Sequence, residues 1–222
     1  MSFKIIELKK SVFENNDIEA DKLRTRLKSE KTFLLNLMSS PGSGKTTTLL
    51  RTIDLLKDEM AIGVMEADID SSVDAEKVAA TGVRAIQLHT GGMCHLDAGM
   101  TAQGIDTLDT AGLDFVILEN VGNLVCPAEF DTGASKSAMI LSVPEGDDKP
   151  LKYPLMFSMV DALLINKIDT LGVFDFSIDA VIERATRLNP DIKIFPVSAK
   201  TGEGFGPWVD WLRSEIKAWN KQ

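Results

Sequence analysis

Leu34-Leu35-Asn36-Leu37-Met38-Ser39-Ser40-Pro41-Gly42-Ser43-Gly44-Lys45-Thr46-Thr47 is an apolar run that breaks into a Gly/Ser/Pro turn, with helix formers directly behind it. This is the layout of a phosphate-binding loop, in which backbone N–H groups of the turn and of the next helix start converge on an anion. Lys45 is placed to reach the β- and γ-phosphates and the Thr46 hydroxyl to ligate Mg²⁺. Pro41, Gly42, Ser43, Gly44 and Thr47 complete the cradle. The strict pattern has glycine where Ser39 stands, but that glycine only eases the exit from the strand. Gly42 and Gly44, which let the backbone approach phosphate, are present. An ordinary strand–turn–helix with a chance Gly-Lys-Thr is the lesser reading, so the stretch implies a nucleotide site.

Outward from this stretch, short aliphatic runs recur at 33–38, 62–67, 84–88, 114–119, 137–143, 162–166 and 192–197. Helical patterns or loops separate most of them. Near-continuous apolar strands alternating with amphipathic helices predict an α/β fold. The expected form is a mainly parallel sheet of about seven strands with helices on both faces, built around the P-loop. Upstream, residues 1–30 read as an arm: a short strand over 3–8, then a helix over 17–29 capped by Asp17 with Ile18, Leu23 and Leu27 on one face. Residues 31–222 read as the P-loop domain. At the far end Trp208, Trp211, Leu212, Glu215, Ile216 and Trp219 recur at spacings of three and four, a stripe expected to pack on the sheet.

In a parallel sheet ligands sit outside the carboxyl ends of the strands, and the candidate residues fall there. After the second run come Glu66 and Asp68, which either contact Mg²⁺, directly or through water, or serve as caps and loop charges. The fourth run delivers Glu119, with Gly122 three residues on. Such a carboxylate holds the metal shell while the glycine N–H bonds a γ-phosphate oxygen. GTPases usually carry Asp at this place, and the extra methylene of Glu119 leaves the carboxylate-to-metal distance open. Lys45, Thr46, Asp68 and Glu119 are thus the candidate catalytic set, with Thr46, Asp68 and Glu119 for Mg²⁺. The sixth run delivers Asn166-Lys167-Ile168-Asp169. Asp169 can accept from guanine N1 and N2 together, a pairing adenine cannot match, and a buried carboxylate there would reject the wrong base strongly. The stem of Lys167 covers the base and Asn166 ties the loop to its neighbours. The last strand ends in Ser198-Ala199-Lys200, whose backbone can read guanine O6. Each tetrad alone is weak; the three in this order, each after an apolar strand, point to GTP and GDP.

With 24 basic and 33 acidic residues, the net charge of −9 argues against a nucleic-acid surface. No apolar stretch approaches the ~18 residues of a membrane span, and the N-terminus has no secretory apolar region. A chain of 222 residues, 44% hydrophobic, needs no disulfide scaffold, so a soluble cytoplasmic protein is expected.

The two cysteines, Cys94 and Cys126, and one of the two histidines, His95, fall in loops after strand ends. Thiolate and imidazole suit Zn²⁺ or Ni²⁺. Adjacent helical residues point about 100° apart, so Cys94 and His95 can share an ion only from a loop or helix start. Taken alone, such residues are more often core than ligand. His89 has no evident partner. In the segment 147–154, Lys149 and Lys152 either reach a γ-phosphate across a dimer or belong to a solvated loop.

The stretches Ser-Pro-Gly-Ser-Gly-Lys-Thr-Thr (40–47), Cys-His-Leu-Asp-Ala (94–98), Glu-Asn-Val-Gly-Asn-Leu-Val-Cys-Pro (119–127) and Asn-Lys-Ile-Asp (166–169) resemble the HypB family of hydrogenase maturation GTPases. The resemblance runs from about residue 10 onward. The urease accessory UreG family is similar in its P-loop and Asn-Lys-x-Asp but carries Cys-Pro-His where this chain has Cys-His-Leu. The resemblance implies a nickel-handling P-loop GTPase of the SIMIBI type with metal ligands Cys94, His95 and Cys126, dimerising with bound nucleotide. It further implies hand-over with a HypA-like nickel chaperone to the large subunit of a nickel–iron hydrogenase. An N-terminal cysteine-rich motif and a histidine-rich tract, found in some members, do not occur here, which argues against tight nickel binding or storage. Two other readings are a urease-type nickel accessory GTPase and a P-loop small-molecule kinase with structural cysteines. The guanine motifs disfavour the kinase.

Overall fold

The aliphatic runs assemble into one sheet because the central ones are apolar on both faces and need cover on both. The computed structural model describes the backbone of residues 8–68 and 73–221, and the side chains within them other than those of 8–12, 68 and 73–75. Strands β1 (Phe33–Ser39), β2 (Ile62–Asp68), β3 (Arg84–His89) and β4 (Phe115–Gly122) pair with β5 (Lys136–Ser142), β6 (Ala162–Asn166) and β7 (Lys193–Pro196). The order is β3-β2-β4-β1-β5-β6-β7 and every pairing is parallel. This is the α/β architecture of a P-loop GTPase.

Strand β1 shows how the layers form. Phe33, Leu35 and Leu37 face a layer made by α2 (Lys45–Leu56) and α9 (Phe205–Lys221), through Leu49, Ile53, Leu56, Trp208, Leu212 and Ile216. Leu34 and Met38 face the opposite layer. That layer holds α1 (Leu8–Glu30), α4 (Ala98–Leu108), α7 (Pro154–Met159) and α8 (Ile178–Leu188). Two covered faces erase the polar alternation of a half-exposed strand. The aromatic stripe of α9 is core as expected: Trp208 is fully buried and donates Nε1–H to Thr52 Oγ1 at 3.1 Å, while Trp219 Nε1–H reaches Thr32 O at 3.0 Å.

The N-terminal helix differs from its expected form. It begins at Leu8, so Asp17 lies inside it rather than capping it, and Ile18 points to solvent while Ala20, Leu23 and Leu27 are buried. The reason is tertiary: Phe13 continues the buried face one turn beyond Asp17 and packs against Phe130, ring centroids 5.0 Å apart. The strand expected over 3–8 lies outside the described residues up to position 7; Leu8 is helical. Among the described residues no helix is long and apolar enough to cross a membrane.

Candidate functional site

Strand β1 ends in the P-loop, and two glycines set its path. Gly42 and Gly44 take φ of +77° and +93°, the left-handed region that side chains resist. A Cβ on Gly44 would also stand 2.5 Å from Asn166 Nδ2. That close approach is how the β6 loop reaches the phosphate loop. The Asn166 amide donates to Ser43 O at 2.9 Å and accepts from Ala199 N at 3.0 Å, so one buried side chain ties its own loop to the P-loop and to the Ser198-Ala199-Lys200 turn. Lys167 donates Nζ–H to Gly42 O at 2.7 Å. Ser198 Oγ donates to Asp169 Oδ1 at 2.7 Å and so orients the carboxylate. Asp169 itself is exposed, not buried as expected; it stands at the open rim, in the 3₁₀ turn Ile168–Thr170. Arg51 of α2 donates to Lys200 O at 3.3 Å and braces the Ser198-Ala199-Lys200 turn. Nothing in a helix interior marks Arg51 in the sequence.

The acids lie beside the loop. Glu119 on β4 is in register with Glu66 on β2, and both are buried. Thr46 Oγ1 donates to Glu119 Oε1 at 2.9 Å, and Lys45 Nζ stands 3.6 Å from the same oxygen. Gly122 faces Pro41, where a Cβ would come within 3.2 Å of the proline ring. Asp68 closes β2. A cleft of about 630 Å³ is lined by Pro41, Lys45, Thr46, Thr47, Glu66, Glu119, Gly122 and Lys167, and also by Lys77 of α3 (Val73–Ala79). Lys77 escapes sequence reading because a lysine in a charged helix looks like any solvated one. A cleft of similar size, about 650 Å³, lies between Lys57, Asp58 and Arg84 at the amino ends of β2 and β3. It carries none of this machinery, and parallel sheets place ligands at the other end. Lys149 sits 3.8 Å from Glu145 and over the Tyr153 ring, and Lys152 pairs with Asp148 at 2.6 Å, so both are engaged within their own segment.

The second cluster lies where β4 leaves the sheet. Ligating atoms of Cys94, His95 and Cys126 fall within 4.8 Å of one another. Adjacent Cys94 and His95 can face one point because they precede a helix rather than belong to it. Asp97 caps α4, its Oδ1 accepting from Met100 N at 2.8 Å, and the helix starts only at Ala98. Cys126 opens the short α5 (Cys126–Glu129). The Cys94 thiol donates to Cys126 Sγ at 2.9 Å, and this bond pushes the Cys94 thiol above its usual range. Any metal held here would have to displace that proton and release it. The His95 ring stacks on Phe130 at 3.9 Å, nearly parallel, and Asn123 Nδ2–H donates to Cys94 O at 3.3 Å. Cys94 is exposed and Cys126 half-buried, which is unlike a pair of core cysteines. His89 is exposed at the end of β3, in register with Asp68 and outside this cluster.

The model of the CobW/HypB/UreG nucleotide-binding domain family matches residues 33–196, from the first residue of β1 to the last of β7. The hydrogenase maturation factor HypB of Azotobacter chroococcum mcd 1 is 46% identical over 212 residues, 96% of this chain and 70% of that protein. The crystal structure of HypB from Helicobacter pylori in complex with nickel aligns with a TM-score of 0.86 at 42% identity, covering 92% of this chain and 96% of that one. The signal recognition particle receptor FtsY of Elizabethkingia anophelis in complex with GDP aligns at 0.53 with 15% identity, over 82% of this chain and 65% of that one. At that identity the likeness shows the fold alone. This chain belongs to the CobW/HypB/UreG family, and within it to the HypB hydrogenase maturation factors.

Proposed function

We propose that the chain binds GTP with Mg²⁺, hydrolyses it slowly, and uses the nucleotide state to gate delivery of nickel to a nickel–iron hydrogenase large subunit. The observation that carries this reading is positional. Cys126 follows Gly122 by four residues on one continuous segment, so a ligand to the metal is attached to the strand end that faces the phosphate loop. Between them only Leu124 is buried; Val125 is exposed.

The residues fit a magnesium nucleotide. The Thr46 hydroxyl and the Glu119 carboxylate meet at 2.9 Å as an oxygen pair suited to Mg²⁺, with Asp68 at the adjacent strand end. When bound, the ion neutralises charge on the β- and γ-phosphates. Lys45 holds the same phosphates, and Gly122 N–H bonds a γ-phosphate oxygen. Asp169 reads guanine N1 and N2, Lys167 covers the ring, and Lys200 offers its backbone N–H to O6, the Ala199 N–H being held by Asn166. No glutamine follows Gly122 closely to orient water, so turnover is slow. The metal centre offers two sulfurs and one nitrogen, donors for Ni²⁺ or Zn²⁺. Three ligands leave a coordination position open, which suits a cargo that must leave. A second copy of the chain, a HypA-like chaperone and the hydrogenase large subunit are the partners this reading names, and the cytoplasm is its compartment.

The test is titration of Ni²⁺ and Zn²⁺ into the GDP and non-hydrolysable GTP-analogue forms of wild type and Cys126→Ala. Coupled sites differ in affinity between the two forms by roughly 5–150-fold, and Cys126→Ala should lose the site. Identical affinity in both forms, or a Cys126→Ala chain that titrates like wild type, overturns the gating.

A further inference from the structure

We propose that Asn16 of α1 is a positioning residue for the Cys/His centre: its side chain fixes the separation between the two chain segments that carry the ligands. This rests on Cys94, His95 and Cys126 being the nickel ligands. Asn16 Oδ1 accepts from Ala98 N at 2.9 Å, and Asn16 Nδ2 donates to Asp131 O at 2.9 Å. Ala98 is the third residue after His95, and Asp131 the fifth after Cys126. One nearly buried amide therefore spans both ligand segments, from positions 82 and 115 residues away.

The chemistry selects asparagine. One end must accept from an N–H and the other must donate to a carbonyl; aspartate lacks the donor and leucine lacks both. Asparagine is also a poor helix former, and here it stands inside a 23-residue helix with both polar ends committed to tertiary bonds. Its neighbours on the same helix face act on the same segment. Phe13 packs on Phe130, which stacks on the His95 imidazole. Arg24 Nη2 donates to both Asp131 oxygens, at 2.8 and 2.7 Å, and Arg24 Nε donates to Ala134 O at 3.2 Å. Helix α1 thus grips residues 130–134 at three places and, through Asn16, the start of α4. The bonds of Asn16 go to these two segments and not to a nucleotide loop. The ring orientation of His95 and the reach from Cys94 to Cys126 become properties of a helix that holds no ligand itself.

The experiment titrates Ni²⁺ into the full-length GDP-bound chain, following thiolate-to-nickel charge-transfer absorbance, with GDP affinity measured in parallel. The variants are Asn16→Leu, which keeps the branching at Cγ and loses both bonds, and Asn16→Asp, which keeps the acceptor for Ala98 N–H. Loss of a group that orients metal ligands costs roughly 10–100-fold in metal affinity. Asn16→Leu should show a fall of that size and a shifted charge-transfer band, Asn16→Asp a smaller fall, and both unchanged GDP affinity. Wild-type nickel affinity and spectrum in both variants overturns the inference, as does parallel loss of nickel and GDP binding, which would mean general destabilisation. If Asn16→Leu does not fold, Asn16→Asp decides by the same two readouts. Cys126→Ala separates the two levels. If wild type shows no band and Cys126→Ala titrates identically, the ligand reading itself fails. If the band is lost in Cys126→Ala yet untouched in the Asn16 variants, only the brace fails.

Discussion

In the proposed GTP site Asp169 would present one carboxylate to the base, and Ser198 already holds one of its oxygens at 2.7 Å. Guanine offers N1–H and N2–H to such a group, whereas adenine N1 carries no proton. Replacing Asp169 by Asn inverts half of this pattern, so GTP should weaken by roughly 2–3 kcal/mol, with solvent exposure setting the lower end. Xanthosine triphosphate should gain in its place. Competition binding of the two nucleotides measures this, and undiminished GTP affinity in Asp169→Asn removes the guanine assignment. At this scale the sequence is legible where chemistry is local. Lys45, Thr46, Asn166, Asp169, Cys94 and Cys126 stand in short motifs at strand ends. Asn16, Arg51, Lys77 and Phe130 do not, because each acts on residues far away in the chain and is locally an ordinary helix or loop residue.

Strand and loop elements were readable because burial on both faces writes itself as a continuous apolar run, and β1, β4 and β6 fall where such runs fall. The start of α1 was not readable. Asp17 is a good cap by type, but the contact of Phe13 with Phe130 continues the helix through it. The exposure of Asp169 also lay beyond sequence reading, since its place at the rim depends on how β6 and β7 loops meet. The P-loop and the base loop behave as one element, joined through the Asn166 amide. Gly44→Ala strains a residue at φ +93°, costing about 1–2 kcal/mol, and drives its methyl into Asn166 Nδ2. The expected result is a lower unfolding midpoint together with a loss of GDP affinity of about tenfold or more. Thermal unfolding and GDP titration check both, and wild-type GDP affinity in Gly44→Ala would mean that the two loops are independent.

On the scale of the whole molecule, the exposed Cys94 is rimmed by apolar surface: Met93 is 41% and Val125 53% exposed. Two copies meeting here about a two-fold axis would bring two three-ligand sites together and cover both side chains. Metal should then raise the mass measured by light scattering, more so with GTP analogue than with GDP, and Cys94→Ala should remain monomeric under the same conditions. A metal-loaded wild type that stays monomeric in both nucleotide states refutes the shared site. The sheet order carries a separate consequence, for synthesis. β1 lies between β4 and β5, neither of which follows it closely in the chain; Asn36 on β1 bonds Asn120, 84 residues later. At roughly 5–20 residues per second on the ribosome, that delay is about 4–17 s. During it the strand that ends in the phosphate loop is an apolar ribbon with both edges open, the form most prone to pair with another nascent chain. The most vulnerable moment in the life of this protein therefore comes before its centre exists, while the ribosome is still making the strands that will close around it.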